Sequence, residues 1–193
     1  MVSVPLIMFL ILLIRITYIS FILKSTAFFD KYKKTLESNM YEYRARINRV
    51  VDGDTVDVDI ELGFGVVLSD ERVRIMGIDT PESRTSDKVE KLFGKAAKAK
   101  LQELLGDVSI LKTQIAKDGE DMKGKFGRVL GDFVTEDGRM VTEVMAETGH
   151  CVPYMGGSKE DTQAGHRANR ERLLAEGVVS QEDYKKAWEK MNG

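Results

Sequence analysis

From Val56 to Leu62 the chain alternates without a break. Val56, Val58, Ile60 and Leu62 fall on one side, and Asp57, Asp59 and Glu61 on the other. Successive strand residues point to opposite faces, so this stretch predicts a half-buried strand with a core side and a wet side. The acidic set is read as that solvated face and not as a metal-binding run. Tyr41 to Val51 carries a similar pattern, with Ala45 and Ile47 set against Arg44, Arg46 and Asn48. Asp52-Gly53 between the two is a tight-turn signal. A loop from Gly63 to Asp70 follows. Arg72 to Met76 then predicts a third strand, with Val73 and Ile75 opposite Arg72 and Arg74. Arg72 is read as solvent-facing or bridging.

Asp79 to Asp87 reads as a loop in which Pro81 biases Thr80 away from helical geometry. Lys88 to Leu105 is rich in Ala, Lys, Glu and Leu and stops at Gly106, the pattern of a helix and its end. Val108 to Ile115 and Phe126 to Thr135 predict strands four and five, separated by the polar stretch Lys117 to Gly124. Asp137-Gly138 is the next turn. Met140 to Thr148 predicts a short helix with Gly149 at its C-terminal cap. Two more helices follow from Lys159, the last opened by Ser180 and Asp183 at capping-box spacing. Trp188, Leu173, Leu174 and Tyr184 are assigned to the packing between these helices. Five short strands with a helix after the third are the order of a small Greek-key barrel. The expected fold class is α+β, dominated by a five-stranded OB-fold β-barrel with three or four helices. An SH3-like barrel or a general α+β fold shares the same element order.

The first 39 residues break this pattern. Val4 to Leu23 is almost wholly apolar, interrupted by Arg15, Thr17, Tyr18 and Ser20. About 20 apolar residues are enough to span a bilayer as a helix. On that reading, Lys24, Lys31, Lys33 and Lys34 would keep the body in the cytoplasm. Ser25-Thr26-Ala27 fits a secretory cleavage site instead, although no Lys or Arg precedes the apolar run. A third reading makes Met40 the true start. Residues 1–39 are therefore set apart as a hydrophobic N-terminal segment and 40–193 as the barrel domain. Localisation divides accordingly into membrane-anchored, cytoplasmic or secreted.

Charge sharpens the division. Residues 1–39 carry five Lys/Arg against two Asp/Glu, a net of +3, which leaves −5 on the remainder of a chain whose net charge is −2. An acidic body does not suit non-specific binding of a polyanion over a broad basic face. Contacts to nucleic acid should instead be local. The single Cys151 excludes an intramolecular disulfide and is read as a small buried side chain. His150 and His166 have no zinc-ligand spacing to each other or to acidic neighbours and are read as structural or surface residues.

The chemistry-bearing residues sit in three short motifs: Asp52-Gly53-Asp54-Thr55, then Arg74-Ile75-Met76-Gly77-Ile78-Asp79-Thr80-Pro81-Glu82, then Lys125-Phe126-Gly127-Arg128. Cutting a phosphodiester needs a hard cation held by oxygens, a group that manages the attacking water, and cations for the phosphate charge. Carboxylates suit the first two needs. Arginine suits the third, because its guanidinium is always charged and offers parallel N–H donors to phosphate oxygens.

These three motifs, in this order, resemble the signature of the staphylococcal-type thermonucleases over roughly residues 42 to 155. The resemblance implies an OB-fold body and a calcium-dependent nuclease acting on DNA and/or RNA that leaves 3′-phosphate ends. It implies that Asp54, Asp79 and the backbone carbonyl of Thr80 hold one Ca²⁺. Glu82 would orient or deprotonate the attacking water, while Arg74 and Arg128 grip the phosphate. Lys125 and Phe126 would stand near the nucleotide phosphate, and Tyr154 near a base. Phe126 stands where the family commonly has tyrosine, so a phenolic hydrogen bond to phosphate would be lost. No protein partner is implied, and a monomer is expected. The competing class is a non-catalytic OB-fold module that binds nucleic acid or protein.

Overall fold

The structure, a computed structural model, describes residues 40–114, 124 and 127–192. The expectations for the apolar run at 4–23 and for Lys125 and Phe126 lie outside the described residues. Seven strands and four helices are present among the described residues: β1 Met40–Asp52, β2 Thr55–Gly63, β3 Val66–Ile75, β4 Ile78–Asp79, α1 Lys88–Leu105, β5 Val108–Gln114, β6 Val129–Val134, α2 Val141–Glu147, β7 Val152–Pro153, α3 Lys159–Ala175 and α4 Gln181–Asn192.

Five strands close into a barrel in the order β1-β2-β3-β6-β5, with β5 returning to β1. Only β3 and β6 run parallel; the other pairs are antiparallel. This is the OB-type barrel that the element order suggests. β1 closes it because one strand pairs on both edges, Arg44 facing Glu61 on one side and Ile110 on the other. Irregular register between Ile47 and Arg49, and again between Val50 and Asp52, bends β1 over the barrel.

Alternation decides what fills the interior. Ala45, Val56, Val58, Val73, Leu111 and Phe133 are fully buried there. Ala97, Leu101 and Leu105 of α1 join the same core, as do Val141 and Met145 of α2. Each large apolar side chain so buried contributes about 1.5–3 kcal/mol. A smaller cluster of Val89, Phe93, Leu173, Val179 and Ala187 ties α1 to α3 and α4. Asp87 caps α1 by accepting from the Glu90 backbone N–H, and Ser180 caps α4 by accepting from the Asp183 backbone N–H while its hydroxyl donates to the Asp183 carboxylate.

The structure corrects four expectations. The loop foreseen over Gly63 to Asp70 is mostly strand, since β3 begins at Val66. Phe64 and Gly65 form a two-residue turn with positive φ at both positions (52° and 76°) that pairs Gly63 with Val66, and the ladder is irregular between Glu61 and Gly63. Asp70, also at positive φ (57°), marks an irregularity where β3 passes Asp59, and its backbone N–H bonds the Asp59 carboxylate. Leu62 is exposed because this hairpin runs past the packed interior, leaving Phe64, Val66, Val67 and Leu68 exposed as well. Asp57 is not solvated: Arg49 and Arg72 cover it, and it is buried. Trp188 is half exposed, because α4 buries its Ala187 face instead.

Candidate active site

The β1–β2 turn and the β4–α1 loop meet at one rim of the barrel. Asp52 makes the junction. Its Oδ1 accepts from the Gly53 backbone N–H at 3.0 Å and from the Ser83 backbone N–H at 3.1 Å. Gly53 has no room for a side chain, since a Cβ there would lie 2.9 Å from both Ala97 and Thr80. The turn is therefore pressed between helix and loop. Gly94 of α1 plays the matching part on the other side of the loop, which rests directly on the helix.

Asp54 follows the turn and is largely enclosed. Thr55 donates to its Oδ1 at 2.8 Å and Thr80 to its Oδ2 at 3.1 Å. The Arg74 guanidinium forms an ion pair with Oδ2 and also reaches the backbone carbonyls of Asp54 and Ile78 at 3.3 Å each. Register explains the contact, because Thr55 and Arg74 are paired across β2 and β3. Burial raises the Asp54 pKa, while Arg74, Thr55 and Thr80 pull it down and Asp52 pushes it up again. Glu82 is raised too, to about 6: burial is the first cause, followed by charge repulsion from Asp52 and a hydrogen bond that the protonated Glu82 donates to Asp52, then the charges of Asp54 and Glu90. The residue as a whole is exposed, although its carboxyl interacts with Asp52 and its main chain rests on Gly94 of α1.

Asp79 sits in β4, which pairs with β7 through Asp79 and Val152. Its Oδ2 lies 2.8 Å from Nε2 of His166 on α3, while the other ring nitrogen of His166 is buried without a hydrogen-bond partner. Tyr154 lies just beyond β7. Its backbone N–H bonds the Gly77 carbonyl at 2.8 Å, and its side chain is partly exposed beside this edge. Arg128 immediately precedes β6. It lines a cleft with Thr55, Arg49, Asp57, Asp70 and Arg72. Thr55 thus joins two groups, with Asp54 and Arg74 behind it and Arg128 in front.

Asp54, Arg74, Thr80 and Glu82 come together around one turn. Asp79 is adjacent to Thr80 in the chain, and Arg128 shares a cleft with Thr55. Two further residues belong to the assembly. Asp52 reads as an ordinary turn residue from its Asp-Gly pair, and only the contact with Ser83, 31 positions on, gives it a second role. His166 is 87 positions from Asp79, and no local spacing announces their contact. Arg72 bridges to Asp57, one of the two readings the alternation allowed.

Among the described residues no three acidic, imidazole or thiol side chains form a ready metal cage. The donor set still fits a hard divalent ion. Carboxylates of Asp54 and Asp79 and the carbonyl of Thr80 are all oxygens, and Ca²⁺ accepts carbonyls and waters in an irregular shell of six to eight. The crowding also points the same way: Asp52, Asp54 and Glu82 share one neighbourhood in which Arg74 is the cation paired with Asp54.

Comparison with known proteins agrees with the geometry. The model of the staphylococcal nuclease homologue family matches residues 72–187, well over half of the chain. The chain belongs to that family. The match begins within β3, so Asp54 lies outside it and its place rests on the contacts above. Among curated relatives, endonuclease YhcR of Bacillus subtilis is 29% identical over 118 residues, covering 58% of this chain and 9% of that protein. The SPbeta prophage-derived endonuclease YokF of Bacillus subtilis is 34% identical over 103 residues, 53% of this chain and 31% of that protein. The thermonuclease of Staphylococcus intermedius is 34% identical over 84 residues, 44% of each. The chain thus spans less than half the length of these relatives.

Proposed function

We propose that the protein is a calcium-dependent nuclease that hydrolyses phosphodiester bonds in DNA and RNA. The observation that carries this reading is the meeting of Arg74 and Thr80 on the Asp54 carboxylate. It draws the Asp54-Thr55 turn and the Arg74-to-Glu82 segment into one pocket. Asp54, Asp79 and the Thr80 carbonyl would hold the ion. When bound, calcium supplies polarisation of a phosphate oxygen and a lower pKa for nearby water.

The chain's own groups do the rest. Glu82, whose pKa of about 6 leaves it ionised at neutral pH, accepts the proton of the attacking water. Arg74 and Arg128 neutralise charge that develops on the phosphate, a kind of stabilisation worth roughly 3–4 kcal/mol per donor elsewhere. The bond from phosphorus to the 5′ oxygen breaks and the departing oxygen takes a proton from solvent water, leaving 3′-phosphate and 5′-hydroxyl ends. A module that only binds strands gains nothing from like charges crowded beside its ligand's phosphates, so the carboxylate cluster favours hydrolysis. Incubating the full chain and calcium with plasmid DNA, and separately with folded RNA, tests the reading. Fragments of both are expected. Intact DNA and RNA after prolonged incubation would overturn it.

A further inference from the structure

On the outer face of β1, β2 and β3, one carboxylate is shared by two arginines. Arg49 Nη2 lies 2.6 Å from Asp57 Oδ2, while Arg72 approaches the same carboxylate through Nε at 2.7 Å and Nη2 at 3.1 Å. Asp57 is nearly enclosed, its side chain only 12% exposed, whereas the side chains of Arg49 and Arg72 are 64% and 47% exposed. The Arg72 hydrogen bonds are the leading cause holding the Asp57 carboxyl below its usual pKa. A carboxylate between two guanidinium groups fixes both in place and leaves a positive surplus. Both arginines line the cleft that Arg128 and Thr55 also line.

An ordinary cross-strand ion pair would need one arginine and would not be concave. Here the second arginine has no carboxylate of its own among the described residues, and the cleft shares Thr55 with the pocket of Asp54 and Arg74. Asp57 is two residues from Thr55 along β2, roughly 6.6 Å at the rise of a strand. That is comparable with one step along a nucleic-acid backbone.

We propose that Arg49 and Arg72, held by Asp57, form a second phosphate subsite that takes the phosphodiester next to the one being cut. The inference rests on the nuclease reading and deepens it. It also accounts for how an acidic body engages a polyanion: through a few preorganised guanidinium groups in line, not through a broad basic face. Guanidinium groups already ordered by Asp57 lose little freedom on binding.

The test compares an octathymidylate, long enough to reach both sites, with a dithymidylate, which has one phosphodiester. Both are fluorescently labelled, and binding to the full chain is followed by anisotropy in chelator over a range of NaCl. Arg49→Gln is expected to weaken octathymidylate five- to tenfold at low salt. It should lower the slope of log affinity against log salt by about 0.7, the value for one phosphate contact on a single strand. Dithymidylate should lose less than twofold. Arg49 is the better first variant because Asp57 keeps its two-point contact with Arg72; Arg72→Gln should then repeat the length dependence. Equal losses on both lengths, or no loss on either, would overturn the subsite. A wild-type protein that binds octathymidylate with the expected slope yet cleaves nothing in calcium would overturn the hydrolytic reading alone.

Discussion

Gly94 of α1 lies against the backbone of Glu82 with no space for even a methyl group. A Cβ at position 94 would stand 2.4 Å from the Glu82 carbonyl carbon and 2.5 Å from both its oxygen and the Ser83 nitrogen. The obstacle is main chain on both sides, so no side-chain rotation relieves it. The helix is thereby a template for the loop that carries Glu82. Gly94→Ala is expected to push that loop off the helix. Overpacking of this kind costs about 1–3 kcal/mol. The catalytic loss should exceed what that implies, with kcat at least tenfold lower in protein that is still fully folded at the assay temperature. Denaturant unfolding together with steady-state rates checks this, and an unaltered kcat would show that the loop position is not fixed by the helix.

Glu82→Gln keeps the size of the side chain and removes the base. We expect kcat to fall by a factor of about 10²–10⁴, with no loss of melting temperature, since the substitution also removes a like charge beside Asp52. In the wild type the acid side of the kcat/KM profile should lie at or below pH 6 and move lower as calcium rises, because added positive charge favours the ionised carboxylate. A variant that retains wild-type turnover at saturating calcium would remove Glu82 from the mechanism.

Arg74 is bonded to a carboxylate that burial already disfavours. Taking away one partner of such a pair strands the other, at a cost of about 2–3 kcal/mol after allowing for its partial exposure. In chelator, Arg74→Gln should therefore melt well below the wild type. Calcium should raise the variant's midpoint at least as much as the wild type's, because it binds folded protein and replaces the lost positive charge. Equal stability of the two proteins in chelator would contradict the pairing.

Asp132 is fully buried in β6, bonded to the Thr142 hydroxyl at 2.5 Å and the Phe133 backbone N–H at 2.8 Å. Burial lifts its pKa to about 7, partly offset by those bonds. The folded state therefore holds this proton more tightly than the unfolded chain does. Its stabilising contribution is complete below about pH 4 and is lost as pH rises through 7, a change on the order of 4 kcal/mol. Asp132→Asn should flatten the pH dependence of unfolding free energy between pH 4 and 8. An unchanged profile would place the titration on another group.

How much of this was legible in the chain follows from the range of each interaction. The inward set Val56, Val58 and Ile60 was plain from alternation, because strand periodicity is a local property. α1 was readable to its last residue from Leu105 and Gly106. Arg74, Asp79, Thr80 and Glu82 stood out because their spacing is short and unusual. The extent of β3 was hidden: Val66, Val67 and Leu68 do not alternate, and only the Phe64-Gly65 turn fixes their register. Asp57 was misread because its burial depends on arginines from two other strands. His166 and Asp52 could not be placed at all, since their partners Asp79 and Ser83 are brought to them only by the closed barrel and the helices packed against it.

Hydrolysis should depend on a cation held at Asp54. The direct measurement is the rate of single-stranded DNA cleavage by the full chain as free calcium is titrated, in the wild type and in Asp54→Asn. The wild-type rate should rise from zero in chelator to saturation, and Asp54→Asn should need at least tenfold more calcium to reach half its own maximum. Full-rate cleavage in chelator, or superimposable calcium curves for the two proteins, would contradict it.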